Sequence, residues 1–165
     1  MTSKTPTVRQ IAWISFIPQL AIMALLITFY YLIDGDDPIL YGALTYLVLS
    51  FVLRSAIPKD HKKGMALVKE GAFEEAIPFF QESYSYFTRH EWIDKYRFLT
   101  LLSSSRISYR EMALNNIAFC YSQSGDGEMA EKMYLKTLEE FPGSGMAQAA
   151  LRMIRSSKRI KENDN

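Results

Sequence analysis

The apolar positions of this chain change their rhythm once. Residues 11–33 run for 23 positions without a formal charge, and the run resumes over 39–57 with a single charge, Arg54, close to its end. A helix over the first run would be about 35 Å long, enough to cross a hydrocarbon core. The second run predicts a second span, with the long Arg54 side chain reaching back to the headgroups. A cleaved signal peptide fits poorly, because the first run is long for such a segment, has no small-residue cleavage site and is followed at once by another apolar run. A pair of buried helices in a soluble protein fits poorly too, since the rest of the chain is too short to surround them.

After Pro58, which interrupts any helix continuing from the second run, apolar residues recur at helical spacing and no strand alternation is seen. Helices are predicted over 61–70, 73–90, 92–103, 107–124, 128–141 and 146–160, with Gly71, Gly125, Pro142 and Gly143 as the clearest breaks. The predicted fold is therefore all-α. A segment 1–10 leads into a two-helix transmembrane hairpin over 11–57, followed by a helical domain over 58–160 with an insertion near 91–106, and a polar tail over 161–165.

The stretch DGDDP, beginning at Asp34, joins the two apolar runs. Its three carboxylates are not followed by a loop of EF-hand length with a terminal Glu, so a solvated turn is expected rather than a calcium site. Lys4 and Arg9 precede the first run, while Arg54, Lys59, Lys62 and Lys63 follow or close the second. The positive-inside bias then predicts an integral membrane protein of two spans, both termini cytoplasmic and the acidic turn outside.

Two stretches of the helical part share one arrangement: GAFEEAIPFFQESY, from Gly71, and SGDGEMAEKMYLKTLEEFP, from Ser124. Placing Gly71 on Gly125, 54 positions on, places Ala76 on Ala130, Phe80 on Tyr134, Leu67 on Tyr121 and Gly64 on Ala118. Small residues at these places let paired helices approach closely, and the aromatics fill the space beside the crossing.

In this the chain resembles the tetratricopeptide repeat. The second unit carries the resemblance best, through Leu114, Ile117, Ala118, Tyr121, Gly125, Ala130, Tyr134 and Pro142. The first unit departs from it. Asp60 and Lys63 stand where the family has large apolar residues and Thr88 where it has a closing proline, so the first helix of that unit is expected to be short or frayed.

The usual period is about 34 residues, and the excess of about 20 is occupied by EWIDKYRFLTLLSSSR, residues 91–106. This segment reads either as an elongated second helix or as an additional short one, with Trp92, Phe98, Leu99 and Leu102 covering apolar surface. The resemblance spans 61–160 if the last helix is a cap or half repeat.

Composition adds little chemistry. A net charge of +1 gives no case for nucleic-acid binding. The basic C-terminal residues Arg152, Arg155, Lys158, Arg159 and Lys161 complement the dipole of a helix end, with attraction to an anionic membrane surface as the alternative. The single cysteine, Cys120, is compatible with a reducing compartment and reads as a buried thiol without a recognisable base. His61 and His90 are isolated and are read as exposed. SGDG lacks the lysine and preceding strand of a phosphate loop, and the paired glutamates Glu74, Glu75 and Glu139, Glu140 read as solvated helix faces. No catalytic, cofactor or metal site is predicted, and the chain is read as a non-enzyme.

The resemblance implies that the first helix of each pair lines a concave peptide-binding surface. In the second unit Leu114, Ile117, Ala118 and Tyr121 face the partner helix, which leaves Met112, Asn115, Phe119 and Ser122 on an adjoining stripe; Met146, Ala149 and Met153 correspond in the last helix. Such a stripe suits an apolar helix or an extended peptide, and equally suits packing against neighbouring helices. The basic and asparagine pattern of relatives that clamp a terminal carboxylate is absent at most matching positions. The expected function is a membrane-anchored interaction module that recruits a membrane-associated protein or peptide. The alternative is an accessory subunit of a transporter, secretion or envelope-enzyme complex, held through its hairpin.

Overall fold

The computed structural model describes residues 13–33 and 35–163. Lys4, Arg9, Ile11 and Asp34, which entered the topology expectation, lie outside the described residues. The described chain is helical, without a β-strand. A 3₁₀ turn, Trp13–Ser15, leads into α1 (Phe16–Leu32), α2 (Pro38–Ala56), α3 (Lys59–Lys69), α4 (Phe73–Arg89), α5 (Glu91–Lys95), α6 (Arg97–Thr100), α7 (Tyr109–Gln123), α8 (Gly127–Glu140) and α9 (Gly145–Asn163). Residues 13–59 and 90–106 form one compact unit, and 60–89 with 107–163 another.

The first apolar run is shorter as a helix than its composition suggests. The α-helix starts only at Phe16 and holds 17 residues, about 26 Å. Pro18 accounts for the start: in a first turn its missing N–H costs nothing, whereas in a helix begun earlier its ring would press on the carbonyl four residues back. Among the described residues one helix, α2, is long and apolar enough to cross a membrane by length and composition.

Within the first unit α1 and α2 lie antiparallel. Asp37 caps α2 by accepting from the Leu40 amide at 3.1 Å, and Pro38 occupies the first helical position. A Cβ on Gly42 would stand 2.6 Å from Cγ1 and 2.8 Å from Cα of Ile27, so glycine is what lets the two backbones meet. The Tyr30 hydroxyl and Thr45 Oγ1 also join the two helices, hydrogen-bonded at 2.9 Å. Large apolar side chains point outward from both helices, among them Leu20, Leu25, Phe29, Leu44, Val48 and Phe51.

The 91–106 insertion belongs to this same unit. It forms two short helices that break at Tyr96, and two arginines hold it together. Arg97 donates to the carbonyls of Asp94 (2.9 Å), Ser105 (2.9 Å) and Arg106 (2.6 Å). Arg54, at the end of α2, donates Nε to the Leu101 carbonyl at 3.4 Å and Nη2 to that of Leu102. Leu102 itself has a left-handed backbone, φ 48°, and is buried. Arg54 is thus committed to backbone carbonyls of the insertion, where headgroup contact was expected. Leu101 and Leu102 do cover apolar surface, but Trp92 and Leu99 remain exposed.

In the second unit α4 packs on α7, α7 on α8 and α8 on α9. The two turns share their main backbone bonds at an offset of 54. Gly71 has φ 79° and Gly125 φ 87°, a backbone conformation that favours glycine. The Ala72 amide donates to Leu67 O at 2.9 Å and the Asp126 amide to Tyr121 O at 2.9 Å; Phe73 N reaches Gly71 O at 3.0 Å and Gly127 N reaches Gly125 O at 3.1 Å.

The crossings repeat as well. Ala76, Ala118 and Ala130 are fully buried, and a Cβ on Gly64 would meet the Phe80 ring at 2.8 Å. Ala76, Ile77, Phe80, Ile117 and Cys120 form one core cluster, and Ala118, Tyr134, Ala147 and Leu151 the next. Helix α3 is intact over 11 residues, one turn shorter than the 15 of α7. Lys63, on its outer side, covers the Phe79 ring at 5.8 Å.

Candidate partner-binding surface

Helix α7 begins at a side-chain N-cap, with Ser108 Oγ accepting from the Glu111 amide at 3.1 Å. From there its inner stripe is set by period: Leu114, Ile117 and Ala118 are buried and Tyr121 half-buried against the cores on either side. The adjoining stripe is less uniform than the sequence suggests. Met112 is half-buried, Ser122 exposed, and Phe119 is 38% exposed with its ring edge-on to Phe73 at 5.9 Å. The Phe119 ring is therefore partly seated on Phe73 and partly open.

Asn115 does not belong on that surface. It is 4% exposed, and its Nδ2 donates to Glu111 O at 2.9 Å and to Ser144 Oγ at 3.3 Å. Because Ser144 immediately precedes α9, these bonds fix the start of the last helix, and the amide acts as a structural link. The position 54 residues earlier is His61, also buried and therefore a correction to its reading as exposed. Its ring meets Phe80 and Tyr109 edge-on at 5.3 and 5.4 Å, and Nδ1 lies 3.4 Å from Ser83 Oγ. Burial lowers the imidazole to about 4, so it is neutral at ordinary pH. A buried polar residue at this repeat position was not visible from either neighbourhood alone.

In α9, Met146 and Ala149 are half-buried, while Met153 is 72% exposed and lines an open cleft with Gly127, Ile154, Ser157 and Lys158. The structure therefore keeps Met112, Phe119 and Ser122 together on α7, removes Asn115, and sets Met153 into a cleft beside the start of α8. Cys120 is fully buried in the first core cluster, and burial pushes its thiol up to about 11. It stays protonated and serves packing.

One polar cluster escaped the sequence reading. Tyr84 of α4 donates to Glu140 Oε1 at 2.6 Å, and Arg110 of α7 pairs with Glu140 Oε2 at 3.1 Å. Lys136 lies over the Tyr84 ring at 4.9 Å, and Arg110 over Tyr84 and Phe141 at 5.9 and 5.7 Å. The cluster joins three helices and engages both oxygens of its own carboxylate, so it reads as a clamp on the packing order. Residues 26 to 56 apart make these contacts, and no local pattern marks them.

Comparisons with family models, with curated proteins and with solved structures find no match for this chain.

Proposed function

We propose that this chain is a membrane-anchored interaction module: α1 and α2 form a two-span hairpin, and 60–163 form a short tetratricopeptide-like domain at the cytoplasmic face that recruits a protein or peptide. The observation that carries the reading is the outward surface of α1 and α2. Leu25, Phe29, Leu44, Val48 and Phe51 are exposed on the two helices, an arrangement that is costly in water and favourable in hydrocarbon. At 17 residues α1 spans less than α2, and local thinning or flanking residues accommodate a deficit of this size. Support for the repeat comes from the superposing turns, the glycines at positive φ and the buried alanines at matched crossings. Met112, Phe119 and Ser122 are the recognition residues in this reading.

Affinity capture of the intact chain from mild detergent, with the 60–165 fragment and the helix pair as parallel baits, tests it. The proposal expects the fragment to retain the partner recovered by the intact chain. Recovery by the helix pair alone would replace it with the accessory-subunit reading.

A further inference from the structure

We propose that the 90–106 segment is an interfacial foot of the helix pair, lying in the headgroup layer and presenting Trp92, Tyr96 and Leu99 to lipid. The inference rests on the membrane reading above and adds a third lipid-contacting element to it. Its first ground is position. The tight turn between α1 and α2, with Gly42 against Ile27, makes the pair antiparallel and puts Arg54 at the same end of it as the start of α1, away from the Asp36, Asp37 turn. There α6 packs on α1, and Arg54 holds the Leu101 and Leu102 carbonyls. The 19 residues of α2 make about 28 Å of helix, so an arginine two residues before its end sits where hydrocarbon gives way to headgroups.

The second ground is the face that the segment leaves open. Trp92 of α5, Tyr96 at the break and Leu99 of α6 are 59%, 46% and 43% exposed, while Ile93 and Leu101 are buried. Tryptophan and tyrosine beside a cation are the side chains that favour the membrane interface, with an apolar body in the acyl boundary and a polar tip in water. Lys95 supplies the cation, 5.6 Å from the Tyr96 ring centroid.

A third ground is backbone accounting. Irregular backbone near hydrocarbon must have its polar groups met from within the protein, and here Arg54 and Arg97 donate to the carbonyls of Asp94, Leu101, Leu102, Ser105 and Arg106. Lipid is the occupant because the open stripe belongs to the same compact unit as the apolar surfaces of α1 and α2.

The test is fluorescence quenching in full-length chains reconstituted into phosphatidylcholine vesicles whose acyl chains carry bromine either near the headgroup or near the chain end. Trp13→Phe leaves Trp92 as the single tryptophan. The expected result is emission to the blue of a water-exposed indole, with stronger quenching by the shallow bromine than by the deep one. A parallel chain, Trp13→Phe/Trp92→Phe/Leu25→Trp, reports on insertion of α1. Water-like, unquenched Trp92 together with a deeply quenched indole at position 25 would overturn the interfacial foot and leave the membrane reading standing; an unquenched indole in both chains would overturn the two together.

Discussion

His61 shows how much one side chain can hide in a sequence. Nothing near it suggests burial, yet the 54-residue offset puts it on Asn115, and both are enclosed polar residues that bond to a hydroxyl, His61 with Ser83 and Asn115 with Ser144. The consequence is a pH dependence with a fixed sign. The folded-state value of about 4 lies below the usual 6.5, so the unfolded chain takes up the proton first. Stability is complete above about pH 6.5 and falls as pH drops towards 4, by an amount on the order of 3 kcal/mol. Thermal melts of the full chain in detergent, at neutral pH and near pH 4, should show a larger acid-induced loss for the native protein than for His61→Asn. Equal losses would mean that another group governs the acid limb.

The two turn glycines make a matched pair at the same scale. At φ 79° and 87°, with nothing within 4 Å of either added Cβ, Gly71→Ala and Gly125→Ala meet backbone strain alone. Each should lower stability by about 1 kcal/mol, measured by chemical denaturation.

Most element boundaries after residue 58 were legible, because the helical period and the breaks at Gly71 and Gly125 agree with the turns that the structure forms there. The 91–106 segment was legible only as an excess over the repeat period. What organises it are arginine-to-carbonyl bonds between residues up to 48 apart, which leave no periodic trace. Its dependence on Arg54 gives a prediction: Arg54→Gln strands the Leu101 and Leu102 carbonyls and should raise hydrogen exchange across 97–104 with little change in α7 and α8.

Where α7 packs on α8, the core and the open face separate. Ala130→Leu forces a larger side chain into a fully buried crossing and should cost about 1 to 3 kcal/mol. Tyr121→Ala should destabilise the domain clearly, whereas Phe119→Ala, which loses one edge-on contact with Phe73, should keep helical content and melting temperature while weakening partner recovery. The candidate stripe was thus partly legible: period identified its side of the helix, but the Asn115 bonds to Ser144 and the Met153 cleft depend on where α9 lies.

At the scale of the molecule, the sequence supplied the all-helical class and the contrast between an apolar start and an amphipathic remainder. Among the described residues the first run is α-helical from Phe16 to Leu32, with Pro18 in the first turn, where its missing N–H is tolerated. The central claim is that α1 and α2 cross a bilayer with the repeat domain on the cytoplasmic side. Membrane-impermeant thiol labelling tests it most directly, in intact cells expressing chains in which Cys120 is replaced by serine and one cysteine is placed at Asp36 or in a tag after Asn165. The account predicts labelling from outside at position 36 and protection of the C-terminal cysteine until the cells are opened. Protection of both, or labelling of both, in intact cells would contradict it.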